Sequence, residues 1–385
     1  MYTQEQYQVC KQPIQQKYIK LQILNWNEDV VDEIKGKSVN GNINIDATQT
    51  VRRTLDLTMI LDDKLVPSPN SPIWLNKKIK VFIGIRSIST NEIVWFNKGV
   101  YIMFKPTLRY SHTDNTLSIQ ALDKMCWLDG QLSGKLEYIT KINGNLPKIK
   151  EYTTLFEAVK STVVQLGGES KVLIDDLKDN NGKDLLVPYT IEKSASNTVA
   201  EMLVDLRNLY MYYEFYYDED GRFHFEKIKN RKNDIIMHNF NENNINLSFS
   251  NEPKWDNVKN DIMIWGATLK DGTQIKYHIE DNNLNNQFSI NKIGRRKWSP
   301  SKTDKITTLE QAKIRAEYEL FKHSNLAETV TLTVVPDYTV DVNQKIKIDD
   351  KKVGIYGEYL IDKVSFGLDI NSTMNITAHK LYYES

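Results

Sequence analysis

The chain has 385 residues, more than one hydrophobic core usually serves, so about two to four domains are expected. Lysine plus arginine and aspartate plus glutamate number 50 each, so the overall charge gives no electrostatic basis for specific nucleic-acid binding. The opening MYTQEQYQVCKQPIQQKY lacks the apolar stretch of a signal peptide, and nothing later approaches the roughly 18 apolar residues of a membrane span. The expectation is a chain made soluble in its host's cytoplasm, with no membrane insertion. Cys10 and Cys126 lie far apart with no Cys or His at metal-ligand spacing, which reads as two free thiols.

Residues 1–17 read as an N-terminal arm. From Tyr18 to about 130 the chain alternates apolar and polar residues in YIKLQILNW, VNGNINID, RTLDLTMIL, KKIKVFIGI, EIVWFNKGVYIMF and TLSIQAL, with turn signals between them. This predicts a β-sandwich or barrel, with the loop VPSPNSP outside the sheet. Gly130, Gly134, Gly144 and Pro147 then mark a linker into a middle α+β segment, 131–250. Thr154 with Glu157 predicts a helix cap, and Gly167-Gly168 its end. A second helix is predicted from Thr198, with Glu201 reaching back and Met202, Leu203 and Leu206 on one stripe. The tyrosine-rich hairpin 210–228, turning at DEDG, is expected to pack beneath that helix; a sugar-stacking platform is the alternative. The last segment, 251–385, begins with a hairpin turning at Asp271-Gly272. A long polar loop follows, 281–304, then a helix capped by Thr307 and Glu310.

The two ends of the chain carry the same blocks in the same order. RTLDLTMI, NKKIKV, GVYIMFKPTL and TLSIQAL match ETVTLTVV, NQKIKI, GEYLIDKVSF and TMNITAH. Thr54/Thr329, Leu57/Leu332, Lys80/Lys347, Gly99/Gly357, Tyr101/Tyr359 and Ala121/Ala378 align without gaps within blocks. Loops accept insertions while strands hold register, so this is the pattern of a duplicated β-unit. Alternation in KKIKV and QKIKI puts Ile79, Ile346 and Ile348 on a core face and Lys78, Lys80, Lys345 and Lys347 on a wet one.

No residue is assigned as catalytic, cofactor-binding or metal-ligating, and no cofactor is expected. HExxH, GxSxG, GxGxxG and Walker-type loops are missing from the sequence. DNNG and DEDG fail as calcium loops because Leu177 and Tyr216 stand where the first ligand should be. His224 and His238, which could share a hairpin region with Glu226, lack a further ligand or a base-orienting partner, and Asp175-Asp176 and Asp349-Asp350 are adjacent pairs that point apart on a strand. GRRKWSP (294–300) is basic and could touch phosphate, but a solvated loop or a subunit contact is the simpler reading.

DNVKNDIMIWG (256–266), the passage from TTLEQAKIRAEYEL into ETVTLTVVPDYTVDVNQKIKI (307–348), the ending GEYLIDKVSFGLDINSTMNITAHKLYY and the stretch TVAEMLVDLRNLYMYYEFYYDEDGRFHFEKI (198–228) together resemble the phage tail baseplate hub family. That family includes late control protein D of contractile phages, the hub of tail-like bacteriocins and the base of type VI secretion spikes. The resemblance implies an α+β, mainly β fold: tube-like β-barrel or sandwich domains at 18–130 and 251–385 flanking the smaller helix-plus-hairpin domain. It also implies a structural, non-enzymatic homotrimer in the virion tail, joining a sixfold tail tube protein to a threefold central spike protein among other baseplate proteins. The chain ends with the second copy's last strand, so separate spike and lytic proteins are expected. The weaker alternatives are a tail-tip protein of a long non-contractile tail and a carbohydrate-binding or cell-wall hydrolase component.

Overall fold

A computed structural model describes residues 2–381 except 37, 114, 144–153, 180, 211, 230, 242–245, 325–326, 351–353 and 370. The fold is α+β and mainly β. Helix α1 (Gln4–Cys10) precedes β1 (Lys17–Leu24), β2 (Val30–Lys35), β3 (Ser38–Asp46), β4 (Arg53–Ile60), β5 (Lys78–Arg86), β6 (Ile93–Tyr110) and β7 (Asn115–Asp123). A middle module follows: β8 (Thr140–Ile142), α2 (Leu155–Ser161), β9 (Val172–Ile174), β10 (Ile191–Lys193), α3 (Val199–Asn208), β11 (Tyr213–Tyr217) and β12 (Phe223–Lys227). The remainder is β13 (His238–Asn241), β14 (Asn246–Lys254), β15 (Asp261–Thr268), β16 (Gln274–Glu280), α4 (Ile290–Ile293), β17 (Lys297–Trp298), α5 (Leu309–His323), β18 (Ala327–Val334), β19 (Lys345–Asp350), β20 (Ile355–Gly367) and β21 (Met374–Lys380).

The repeat read from the sequence is real in space. Strands pair in the order β4-β7-β6-β5 in the first copy and β18-β21-β20-β19 in the second. The registers coincide: Leu57 faces Ile119 as Leu332 faces Ile376, and Ile79 faces Tyr101 as Ile346 faces Tyr359. Even the irregularities repeat, with register shifts at Met103/Lys105 and at Ile361/Lys363. Gly99 and Gly357 both take positive φ, 128° and 144°. A Cβ at Gly99 would come within 3.0 Å of the Tyr101 ring, and one at Gly357 within 3.1 Å of Lys380, so both copies keep glycine there.

The match extends one strand further than the sequence blocks. β3 pairs with β4 as β14 pairs with β18, with equivalent shifts at Ser38/Asn40 and Asn246/Ser248. β14, which straddles the boundary drawn at 250 from the sequence, therefore belongs wholly to the large sheet, and Asn44 corresponds to Glu252. Residues 255–324 interrupt the second copy between β14 and β18. There β15 pairs with β16 and β17, α5 covers them, and Ile262, Ile264, Ala312 and Ala316 form a separate small core. The first copy spans the same gap with the short turn between β3 and β4, so the helix α5 has no counterpart at that point of the first copy.

One core serves both copies. It joins Leu55, Leu57, Ile79 and Tyr101 to Leu332, Ile346, Tyr359 and Phe366, and takes in Val9 and Cys10 of α1. The segment read as an arm is thus docked, with Gln6 Nε2 donating to the Trp95 carbonyl at 2.8 Å. In the middle module the hairpin β11–β12 turns Tyr213, Phe215, Tyr217, Phe223 and Phe225 inward against Met202, Leu203 and Leu206 of α3, as expected for packing beneath the helix. Thr198 and Glu201 form the capping box of α3. The cap of α5 lies one residue later than predicted, with Thr308 and Gln311 closing the box, because the Gln311 amide oxygen accepts from both Thr307 and Thr308 N–H groups.

The lysines of the alternating strands need correcting. Ile79, Ile346 and Ile348 are fully buried as expected, but Lys78 and Lys345 are buried too. Each lies at a strand start where a carboxylate is in reach: Lys78 pairs with Glu28 at 2.9 Å and Lys345 with Glu358 at 2.8 Å. Ile346→Asp is expected to cost more than about 4 kcal/mol and leave no folded chain, because it puts a carboxylate into the core shared by both copies. Lys347→Glu should melt within about 1 kcal/mol of the parent. Thermal denaturation of both variants checks the register; a stable Ile346→Asp chain would refute it.

Candidate functional site

The titratable groups singled out by sequence do not converge. His224 lies between Asp218 and Glu226, with Nε2 3.0 Å from Asp218 and the ring stacked on Tyr216 at 4.9 Å. Burial works against the imidazolium, but the hydrogen bonds it donates to the two carboxylates prevail and hold its pKa up at about 9. A histidine held in its protonated form at neutral pH is not poised as a general base. His238 is elsewhere, packed on Tyr7 and Phe240. Asp349 and Asp350 sit on opposite faces of β19, and Asp175 caps the backbone N–H of Lys227.

Asp261, His278 and Glu280 do come within metal-ligand reach of one another. Arg295, from the basic GRRKWSP segment, already fills the space, with Nη1 2.5 Å from Asp261 Oδ2 and paired to Glu280 as well. That segment is tied down. Asn260, fully buried, donates to the carbonyls of Phe288 and Gly294 at 3.0 and 2.8 Å and accepts from the Arg296 N–H at 2.7 Å. Lys297–Trp298 pairs in parallel with β15. The stretch 281–304 is therefore a braced loop and not a free arm.

Charge is concentrated where modules meet. Glu28, at the turn between β1 and β2, has φ 69° and receives Lys78, Lys124 and Lys171 at 2.9, 2.7 and 2.7 Å. Lys124 also reaches Glu169 at 2.6 Å and the Gly221 carbonyl at 2.8 Å, so the middle module grips the first β-unit from two turns. The DEDG turn adds Asp220 to Lys80 at 2.8 Å, and Arg52 pairs with Glu214 on β11 at 2.6 Å. Between the two copies, Arg53 pairs with Asp341 at 3.0 Å and the fully buried Lys98 donates to the Tyr338 carbonyl at 2.6 Å. Sequence reading missed Glu28 and Asn260. A polar residue in a turn looks like any other until its distant partners are known.

The features open to other molecules are the sheet edges. β20 carries β21 on one side and, in tandem on the other, β19 along 355–360 and β3 along 363–367. β6 carries β7 on one side and β5 along 93–102, but among the described residues no strand lies beside 103–110. Among the described residues β14 is likewise paired on one side only, to β18. Residues 104–110 of β6 and residues 250 and 252–254 of β14 are exposed.

A family model described as "Domain of unknown function (DUF5048)" matches residues 272–385. No curated protein matches the sequence. Solved structures similar over nearly the whole chain include two prophage tail proteins and a further tail protein. The prophage MuSo2 43 kDa tail protein from Shewanella oneidensis has a TM-score of 0.61 at 16% identity, covering 94% of this chain and 98% of that one. A tail protein from Neisseria meningitidis MC58 has 0.64 at 12%, covering 94% and 96%. Prophage tail protein gp18 from Listeria monocytogenes EGD-e has 0.55 at 11%, covering 95% of each.

Glu28 offers a direct test of the joint. Burial opposes its charge, yet hydrogen bonds from Lys124, Lys171 and Lys78 outweigh it and pull its pKa down to about 2. Its stabilisation is therefore present above the ordinary carboxylate range and lost as pH falls toward about 2. Glu28→Gln should lose on the order of 3 kcal/mol in urea titrations at pH 7, and the gap to the parent should shrink steadily below about pH 4. A gap that does not change with pH would mean the three lysines are not what holds the carboxylate.

Proposed function

We infer that this chain, which has the fold of phage tail proteins, is a structural subunit of a phage tail baseplate or tail-like particle. It forms a trimeric hub ring between a sixfold tail tube protein and a threefold central spike protein. The observation that carries this reading is the duplicated five-strand unit fused in one sheet, in which, among the described residues, β14 of one copy and residues 103–110 of β6 in the other each keep one side unpaired. Two units per chain and three chains give six similar units around one axis, which lets the same ring meet sixfold and threefold neighbours. The two tube-like domains are then the sheet-forming segments before residue 130 and after about 238, with the helix-plus-hairpin module between them. Other baseplate proteins contact its outer surface, and the protein is resident in the virion tail.

No catalytic role is proposed: the charged groups described above are engaged in ion pairs within the modules and at their joints. Native mass measurement on protein released from purified particles should give three copies, and cryo-electron microscopy should show a threefold ring with sixfold-like density in its β-wall. Peptidoglycan zymography should be blank. A monomer inside the intact particle, or a reproducible lytic band from pure protein, would overturn the reading.

A further inference from the structure

We propose that the bare edge of β6 over 105–109 pairs with the bare edge of β14 over 250–254 of a second copy of this chain, in the register by which β20 meets β3 inside one chain. The proposal rests on the ring reading above and specifies its seam. Each chain holds one complete junction between units, β20 with β3, and the two separate halves of another. Lys363 faces Asp46 and Gly367 faces Asn42 in the complete junction. By the equivalences of the repeat, Lys105 then faces Lys254, Thr107 faces Glu252 and Arg109 faces Ser250.

Burial at matched positions supports this. Phe366 and Leu368 are 1% and 6% exposed at the complete junction, whereas their counterparts Leu108 and Tyr110 are 45% and 84% exposed. The same face is apolar in both copies and covered in only one, so a second β14 supplies the missing cover. Charge agrees: Glu252 lies diagonally between Lys105 and Arg109, and Asp256 lies diagonal to Lys105, which offsets the Lys105–Lys254 opposition.

The two edges also share an unusual feature. At the complete junction Leu368 N–H donates to the Gly41 carbonyl and Ala47 N–H to the Asp362 carbonyl, which fixes the residues whose backbone groups point across the seam. Their counterparts include Pro106 and Pro253, which the register places face to face. Neither has an N–H to offer, so a lone subunit presents edges that other strands add to poorly. In the assembled seam the flanking Leu108 and Asn251 supply the backbone donors.

Thr107 and Glu252 occupy a pair whose backbone groups point away from the seam, the geometry in which cross-strand side chains approach most closely. The native cysteines are buried. Oxidising the assembled Thr107→Cys/Glu252→Cys protein should therefore give covalent dimers and trimers on a denaturing gel. The one-residue-shifted control Thr107→Cys/Pro253→Cys should give at least tenfold less, since that shift sends the second thiol to the opposite face. Leu108→Asp, at an exposed position, should melt like the parent as a subunit but lower the trimer fraction at least tenfold. A trimeric native mass without the matched cross-link, or with equal cross-linking of the shifted pair, would overturn the seam and leave the ring. A monomeric mass would overturn both.

Discussion

Everything in the large sheet depends on β20 having two neighbours along one side. Its first half hydrogen-bonds β19 of its own copy and its second half bonds β3 of the other. Backbone hydrogen bonds thus run across the boundary between the copies without a break. The side chains follow: Val364 and Phe366, beside β3, enter a core that also holds Leu55 and Tyr101. Two sheets merely packed face to face could slide, but a shared ladder cannot, because a one-residue slip would turn every side chain to the wrong face.

The interior of that joint is polar to an unusual degree. Arg53, Asp341 and Lys98 lie between the copies, and burial lowers the pKa of Lys98 while Asp341 opposes that shift. Buried pairs of this kind add little net stability, since desolvation takes back most of the attraction. Breaking one is costly, however, so they penalise any arrangement of the copies other than this one. The same logic holds at Glu28, where four charged side chains from three parts of the chain have to be present together.

The sequence made the repeated strands legible because their registers are marked by Gly99 and Gly357, Tyr101 and Tyr359, and Ala121 and Ala378, which sit in equivalent pairs. The equivalence of β3 and β14 was hidden. β14 is polar on one face and separated from its partner β18 by the inserted hairpin and helix, so neither pattern nor proximity joins them. Lys78 and Lys345 misled because alternation reports which face a side chain leaves from and not what awaits it; Glu28 and Glu358 await these two. The braced loop was illegible for a similar reason, since a single amide, Asn260, organises it through backbone groups.

The pairing of β3 with β20 also governs how the protein can emerge from a ribosome. Asp46 and its partner Lys363 are separated by roughly 320 residues. At about 5–20 residues per second, on the order of 15–60 s pass between the appearance of one strand and the other. During that interval β3 has β4 on one side and nothing on the other, and α1 lacks the Tyr338 region it packs near. The first copy can therefore reach only a provisional state while translation continues. A strand delivered late thus completes one delivered early, making the native sheet a product of the nearly finished chain.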